Sequence, residues 1–389
     1  MTPESPEIHS VSTVLQPVPG IIPGAAPPQS RITLDYLVHT YQTILSSQAI
    51  YYPVAYQLAQ RLGQGRQGVV FMALRQGARG CITQHAIKLF DPSIYDSPED
   101  YWTDMGRIAS QTSRLQPFQS PYLVTRHSYE ENYGIGYTEM EAIDGINVQD
   151  LLNERHLDFV KARSTMDEWS RIFSLLFTFE DGKLALRPGL AVYILRRILR
   201  GLEGLHSMSF LHCDVKPSNV MIDRQGCVKL VDFGRALMIG EKPSFLLGAP
   251  MYMAPETHRF RTLDVRADLY SAGLVGLEML RGEPIADPSV VETEALLSVK
   301  AGLPGNLKRL LQHVSRHPDL LAAIGRLVNP DLHGRFAGAE EAEAGPVGLR
   351  VVDQHLADED GVVDYERELS DYLAKLVDPV TRRIELPDS

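Results

Sequence analysis

The 389-residue chain is short of cysteine and tryptophan, of basic charge and of long apolar runs. Its cysteines, Cys81, Cys213 and Cys227, are odd in number and lack a short paired spacing. That excludes a disulfide framework or a cysteine-based zinc knuckle and fits a reducing, cytoplasmic setting. No stretch reaches the roughly 18 apolar residues of a membrane span. The start, Met1-Thr2-Pro3-Glu4-Ser5-Pro6-Glu7, lacks a basic leader and an apolar core, so neither export nor membrane insertion is expected. Lys and Arg number 38 against 49 Asp and Glu, a formal net charge of -11. This argues against nucleic acid as the main partner, although a local basic cleft can still hold phosphates.

What is present is apolar content of 44%, enough to build one large two-lobed domain or two modest ones. Residues 1–31 are rich in proline and small side chains and predict a disordered tail. Residues 32–52 read as a helical lead-in, with Leu34, Leu37, Val38, Tyr41 and Leu45 near helical spacing. Short apolar segments broken by glycine follow at 56–62, 69–75, 81–90, 122–128 and 136–140, the pattern of a small antiparallel sheet, with one helix over 98–115. Beyond Gly145 longer helical stretches dominate, notably 189–207 and 265–281. The segment 152–187 carries Trp169, Phe173, Leu175, Leu176, Phe177 and Phe179, a cluster expected to pack on the domain's own surface, with a docking face as the alternative. The acidic end is expected to add a helix around 365–376 and to complete the large lobe. There are no internal repeats.

Chemistry concentrates in Leu211-His212-Cys213-Asp214-Val215-Lys216-Pro217-Ser218-Asn219 and, shortly after, Val231-Asp232-Phe233-Gly234. A carboxylate near a lysine, an amide five positions later and a second carboxylate beyond a strand form a kit for moving a phosphoryl group onto a hydroxyl. Asp214 is the candidate base or orienter of the acceptor, and Lys216 neutralises charge on the phosphate in flight. Asn219 and Asp232 offer oxygen ligands for magnesium. Upstream, Gly63, Gly65 and Gly68 precede a β-favouring run instead of a helix, so they read as a hairpin lid over phosphates, with Val70 over the base. Lys88 ends the apolar pattern His85-Ala86-Ile87 and is expected to reach the phosphates, a surface lysine being the bland alternative.

With Ala254-Pro255-Glu256 and the run from Asp264 through Gly273 in the same order, these motifs resemble the eukaryotic-like Ser/Thr protein kinases, over roughly residues 53–376. The resemblance implies an α+β, bilobal protein-kinase-like fold. Its small, mostly antiparallel β N-lobe would cover 53–140 with one main helix, its hinge 141–145 and its larger, mainly helical C-lobe 146–376, followed by a tail at 377–389. It also implies ATP- and Mg2+-dependent transfer of the terminal phosphate to Ser or Thr of a protein substrate. By position in the family pattern, Met140 guards the adenine pocket, Glu141 to Ile143 form the hinge, and Ala86 and Met221 complete the apolar sandwich. Glu256 is expected to pair with Arg335, and Asp268 to support the catalytic-loop backbone.

The chain also departs from that pattern. The family fixes the position of Lys88 with a helix glutamate, but the matching window holds Arg107, Ile108, Ala109, Ser110 and Gln111. Gln111 is then a neutral partner for Lys88, weaker than a charged one, with Glu99 or Asp104 as alternatives on a shifted helix. Cys213 replaces a phosphate-binding arginine, and Ser244 is the only Ser or Thr between Asp232 and Glu256. Both argue against switching by phosphorylation there. Ala249 replaces a threonine whose hydroxyl would bridge Asp214 and Lys216. These departures keep open a second reading, a pseudokinase serving as a nucleotide-binding or scaffolding module. A small-molecule kinase is a third, against which the Ala254-Pro255-Glu256 peptide shelf speaks.

Overall fold

A computed structural model describes residues 32–51, 54–241, 248–287, 292–379, 381–384 and 386. The expected proline-rich tail and Ser244 therefore lie outside the described residues. Helix α1 (Leu34–Ser47) starts at Thr33, whose hydroxyl accepts from the Tyr36 amide, and stops at Gln48 in the left-handed conformation. That turn corrects the expected lead-in helix at its end, because Ala49–Ile50 become strand β1 and pair with β2 (Tyr56–Gly65). β3 (Gly68–Gln76), β4 (Ile82–Phe90), helix α2 (Pro98–Leu115), β5 (Arg126–Asn132) and β6 (Ile135–Glu141) complete the small lobe. The sheet is antiparallel in the order β1-β2-β3-β4-β6-β5. Leu37, Tyr41 and Ile44 of α1 share its core with Tyr101, Met105 and Ile108 of α2.

One expected strand is displaced. Residues 122–124 do not join the small-lobe sheet, because their backbone is used by the other lobe: Val124 donates to Leu230 at 2.9 Å and Leu230 to Tyr122 at 2.8 Å. The ladder therefore begins at Arg126.

After β7 (Gly145–Asn147) the chain forms α3 (Val148–Leu151), α4 (Arg155–Ala162), α5 (Met166–Leu176) and the hairpin β8 (Phe177–Glu180) and β9 (Lys183–Leu186). In this segment Phe173 lies 5.4 Å from Trp169 and 6.0 Å from Phe177, ring centre to ring centre, while Phe177 packs on Tyr372. The cluster covers the domain's own surface, as its composition suggests. Helix α6 (Pro188–Ser207), strands β10 (Phe210–Leu211), β11 (Val220–Asp223), β12 (Val228–Leu230) and β13 (Leu237–Met238), and helices α7 (Pro255–His258) and α8 (Val265–Arg281) follow. Every residue of α8 from Ala267 to Leu280 is buried, so its hydrophobic run reads as a central pillar and not an amphipathic stripe. Outside it lie α9 (Thr293–Leu310), α10 (Pro318–Leu327), α11 (Ala339–Ala344), α12 (Leu349–Asp360) and α13 (Tyr365–Ala374). The acidic C-terminal region does belong to this lobe: Glu343 receives Arg196 at 2.8 Å and Arg200 at 3.0 Å from α6. None of the described helices is long and apolar enough to cross a membrane.

Candidate active site

The lobes meet where Ala86 and Met140, facing each other across β4 and β6, join the apolar network of the large lobe. Val70 and Ile143 pack against the same network partly exposed, and Met221 stands half-buried on β11 between Asn147 and Lys229. Apolar side chains from both lobes thus meet at this seam. Glu141 ends β6; its backbone amide donates to Thr125 at 2.9 Å and its carboxylate takes the ammonium of Lys229, which ties the chain between lobes to β12.

The glycine segment is a hairpin, with Arg66 and Gln67 at the turn between β2 and β3. A Cβ on Gly63 or Gly65 would meet no protein atom within 4 Å, so these glycines leave their space open to a ligand. Gly68 differs: a Cβ there would lie 1.8 Å from the Leu89 carbonyl, so this glycine is required first by its own sheet.

Asp214 lies in the loop after β10, with its side chain 3% exposed. Its Oδ2 accepts from Lys216 Nζ at 2.9 Å and from Asn219 Nδ2 at 3.1 Å, and its Oδ1 accepts from the Ala249 amide at 3.1 Å. The backbone of Ala249 thus contacts the carboxylate that a threonine hydroxyl was expected to reach. Asn219 also donates to the Asp214 carbonyl at 2.8 Å, so its amide nitrogen is fully used and its oxygen is the end left for a cation. Asp268 supports the loop as expected, accepting from the His212 and Cys213 amides at 2.8 and 2.9 Å and lying 2.9 Å from His206. Glu256 and Arg335 form a bidentate pair at 2.7 and 2.9 Å. Burial raises the Cys213 thiol well above its ordinary pKa, which leaves it an inert side chain.

Asp232 sits in the left-handed region, φ 62°, a strained backbone of the kind found at functional sites. Lys88 Nζ lies 2.5 Å from its Oδ1. Burial opposes the charge on Asp232, but Lys88 outweighs it and holds the carboxyl well below the usual range. A carboxylate that stays ionised next to a lysine, with the Asn219 amide oxygen on the same wall, where the Val231 amide donates to the Asn219 carbonyl at 3.0 Å, fits a magnesium-bound nucleotide phosphate.

Comparison with known proteins agrees with this geometry. The protein kinase domain pattern matches residues 56–303. The chain belongs to the protein kinase family. Curated relatives are named as serine/threonine kinases. PknB of Mycolicibacterium smegmatis is 24% identical over 74% of this chain and 42% of its own length. A probable PknB of Bifidobacterium longum is 40% identical over 59% of this chain and 30% of its own length. CLA4 of Eremothecium gossypii is 27% identical, over 59% and 28%. The chain therefore spans less than half the length of these relatives. Among solved structures, the Mycobacterium tuberculosis PknI kinase domain superposes with a TM-score of 0.52 at 21% identity, covering 79% of this chain and 96% of that one. That likeness shows the fold.

Against this kinase frame, the expected partners of Lys88 on α2 are not where the sequence puts them. Gln111 turns away and donates to the Ala236 carbonyl. Asp104 is occupied by Tyr95 at 2.6 Å and Arg107 at 2.8 Å, and Glu99 is exposed at the start of the helix. Instead of a carboxylate, α2 sends in Arg107, which donates to the Gly234 and Ala236 carbonyls at 2.9 and 3.1 Å and so grips the segment after Asp232. Lys88 finds a neutral neighbour in Gln67 of the glycine hairpin, whose Oε1 lies 3.4 Å away. The signal for Gln67 was present in the sequence, as a polar residue at the hairpin tip. Arg107 could be found only once the rotation of α2 was known.

Proposed function

We propose that this kinase domain is catalytically active and transfers the terminal phosphate of ATP, with Mg2+, to Ser or Thr of a protein substrate. The observation that carries the reading is the setting of Asp214. Donors from Lys216, Asn219 and Ala249 fix both of its oxygens at the floor of the cleft. Such preorganisation lets the carboxylate orient an acceptor hydroxyl and receive its proton without rearrangement. Lys216, held 2.9 Å from Asp214, is placed to offset charge on the moving phosphate. Asn219 and Asp232 would hold magnesium, which neutralises phosphate charge when bound. Lys88 and the Gly63–Gly65 segment would take the phosphates, with Val70, Ala86, Met140, Ile143 and Met221 around the base and the backbone of 141–143 along its edge.

One observation favours the pseudokinase reading: Lys88 is paired with Asp232, and α2 offers it no carboxylate. Transfer of labelled terminal phosphate from MgATP to a generic basic protein, compared with Asp214→Asn, separates the readings. Transfer lost in the variant supports the active enzyme. Nucleotide binding without transfer by the native chain would overturn it in favour of the pseudokinase.

A further inference from the structure

Lys300 of α9 has no role in the site described above, yet it is completely buried. A buried ammonium is costly unless its hydrogens are met by well-placed acceptors. Here the acceptors are backbone groups of the segment that follows Ala249. Lys300 Nζ donates to the Pro250 carbonyl at 2.7 Å and to the Met253 carbonyl at 2.7 Å, and lies 2.8 Å from His258 Nε2. Among the described residues its hydrogen bonds reach no carboxylate. Glu256, the acidic group whose charge acts on it, is engaged by Arg335.

The loop it holds is joined directly to Asp214. Tyr252 and Met253 donate to the Ala249 carbonyl at 2.9 and 3.2 Å, while the Ala249 amide donates to Asp214. On the outer side, Pro250, Met251 and Tyr252 border a cavity of about 670 Å³ that also takes in Asn153 and Glu278. Pro250 and Met253 thus turn their carbonyls inward onto Lys300, while Pro250, Met251 and Tyr252 line a cavity that also includes Ala249, whose amide is bonded to Asp214.

The contact survives loss of a proton. Burial brings the Lys300 pKa down to about 7, and burial together with Lys300 brings His258 down to about 4, so the imidazole is neutral. As an ammonium, Lys300 donates to Pro250, Met253 and His258 Nε2. As an amine, it keeps both carbonyl bonds and accepts from His258 Nε2–H with its lone pair. His258 Nδ1, buried without a hydrogen-bond partner among the described residues, carries the ring proton in the first arrangement and is bare in the second. The groups facing Lys300 are therefore His258 and Glu256 from α7 and neutral carbonyls from the loop.

We propose that Lys300 is a positioning residue for the protein substrate, clamping the Pro250–Met253 loop as a fixed shelf beside Asp214. The inference rests on the active-kinase reading for its consequence, but the clamp itself is measurable without activity. In Lys300→Met, which keeps the side chain's length and removes its donors, backbone hydrogen exchange at Tyr252 and Met253 should accelerate about tenfold or more, with β4 and β6 unchanged. Peptide KM should rise about tenfold while the KM for ATP and uncoupled ATP hydrolysis stay at native values.

Unchanged exchange in the shelf, or a parallel fall in ATP hydrolysis and peptide phosphorylation, overturns the proposal. Should Lys300→Met not fold, His258→Phe removes the imidazole's contacts to Lys300 and to the Pro250 carbonyl while leaving both Lys300–carbonyl bonds, and shelf exchange between native and tenfold faster is the expected result; native exchange there overturns the clamp. A native chain that phosphorylates no peptide sinks the active-kinase reading, and the exchange measurement then still decides the clamp.

Discussion

On the large-lobe side of the cleft, Asp214 has a donor on each oxygen and its loop is fixed from below by Asp268, whereas on the small-lobe side Lys88 reaches across the cleft to Asp232 for its charge partner. The two walls also differ in where their parts come from. Asp214, Lys216 and Asn219 lie within six consecutive residues, so their mutual geometry is nearly dictated by one loop. Lys88 depends on its strand, a hairpin tip and the segment at Asp232, each arriving by a separate packing arrangement. Contacts encoded within one loop form among its own residues, and those assembled between elements are organised around Arg107.

The largest effect should come from the residue shared by both walls. Asp232→Ala removes a proposed magnesium ligand and leaves Lys88 buried beside an empty position. Phosphate transfer should fall at least about a thousandfold, equivalent to roughly 4 kcal/mol of transition-state stabilisation. Turnover near the native rate would mean that the cleft's chemistry does not pass through this carboxylate.

Next, Arg107→Ala tests whether α2 acts through the segment after Asp232. Two charge-assisted hydrogen bonds to the Gly234 and Ala236 carbonyls would go. Each is worth about 1.5–3 kcal/mol at most, so kcat should fall roughly 10- to 100-fold in a chain that remains folded by circular dichroism. A native kcat would show that the two walls work independently.

Gln111→Glu sharpens the same contrast. Were Gln111 the partner of Lys88, the new carboxylate would strengthen the contact and raise activity. In the structure its amide N–H instead meets the Ala236 carbonyl, with the residue 5% exposed. A carboxylate there loses the donor and faces a carbonyl oxygen. Stability should drop by about 2 kcal/mol, read from urea denaturation, without a gain in activity. Increased turnover would restore the sequence-based expectation and show α2 able to turn.

The sequence made legible what depends on short-range order: the catalytic loop, the glycine hairpin, helices α2 and α8 and the Glu256–Arg335 pair. It could not show which side of α2 meets Lys88, because Arg107 and Gln111 are one helical turn apart and each can reach a neighbouring carbonyl or side chain. Nor could it show that 122–124 would leave the small-lobe sheet, since an apolar run reads alike whether its backbone pairs with one lobe or the other. Lys300 carried no signal at all, being one lysine on a helix whose buried face is settled only by packing.

The smallest expected effect concerns Arg126, at the first position of β5. Its guanidinium lies 4.7 Å from the centre of the Phe233 ring, and its Nε and Nη1 are buried with no hydrogen-bond partner among the described residues. Burial lowers its pKa to about 10, and the Asp232 charge offsets part of that, so the group is still a cation at neutral pH. A buried cation with unmet donors is less stable than an apolar side chain of similar reach. Arg126→Leu should therefore raise stability by about 1 kcal/mol, moving Tm up by about 2 °C. If Tm falls instead, the guanidinium is satisfied by bridging water, and the small-lobe wall is as fully paired as the large-lobe wall. If Tm rises while transfer weakens, the chain retains a destabilising arginine behind Phe233 for what it does to Asp232, and the rebuilt wall is then a functional arrangement in its own right.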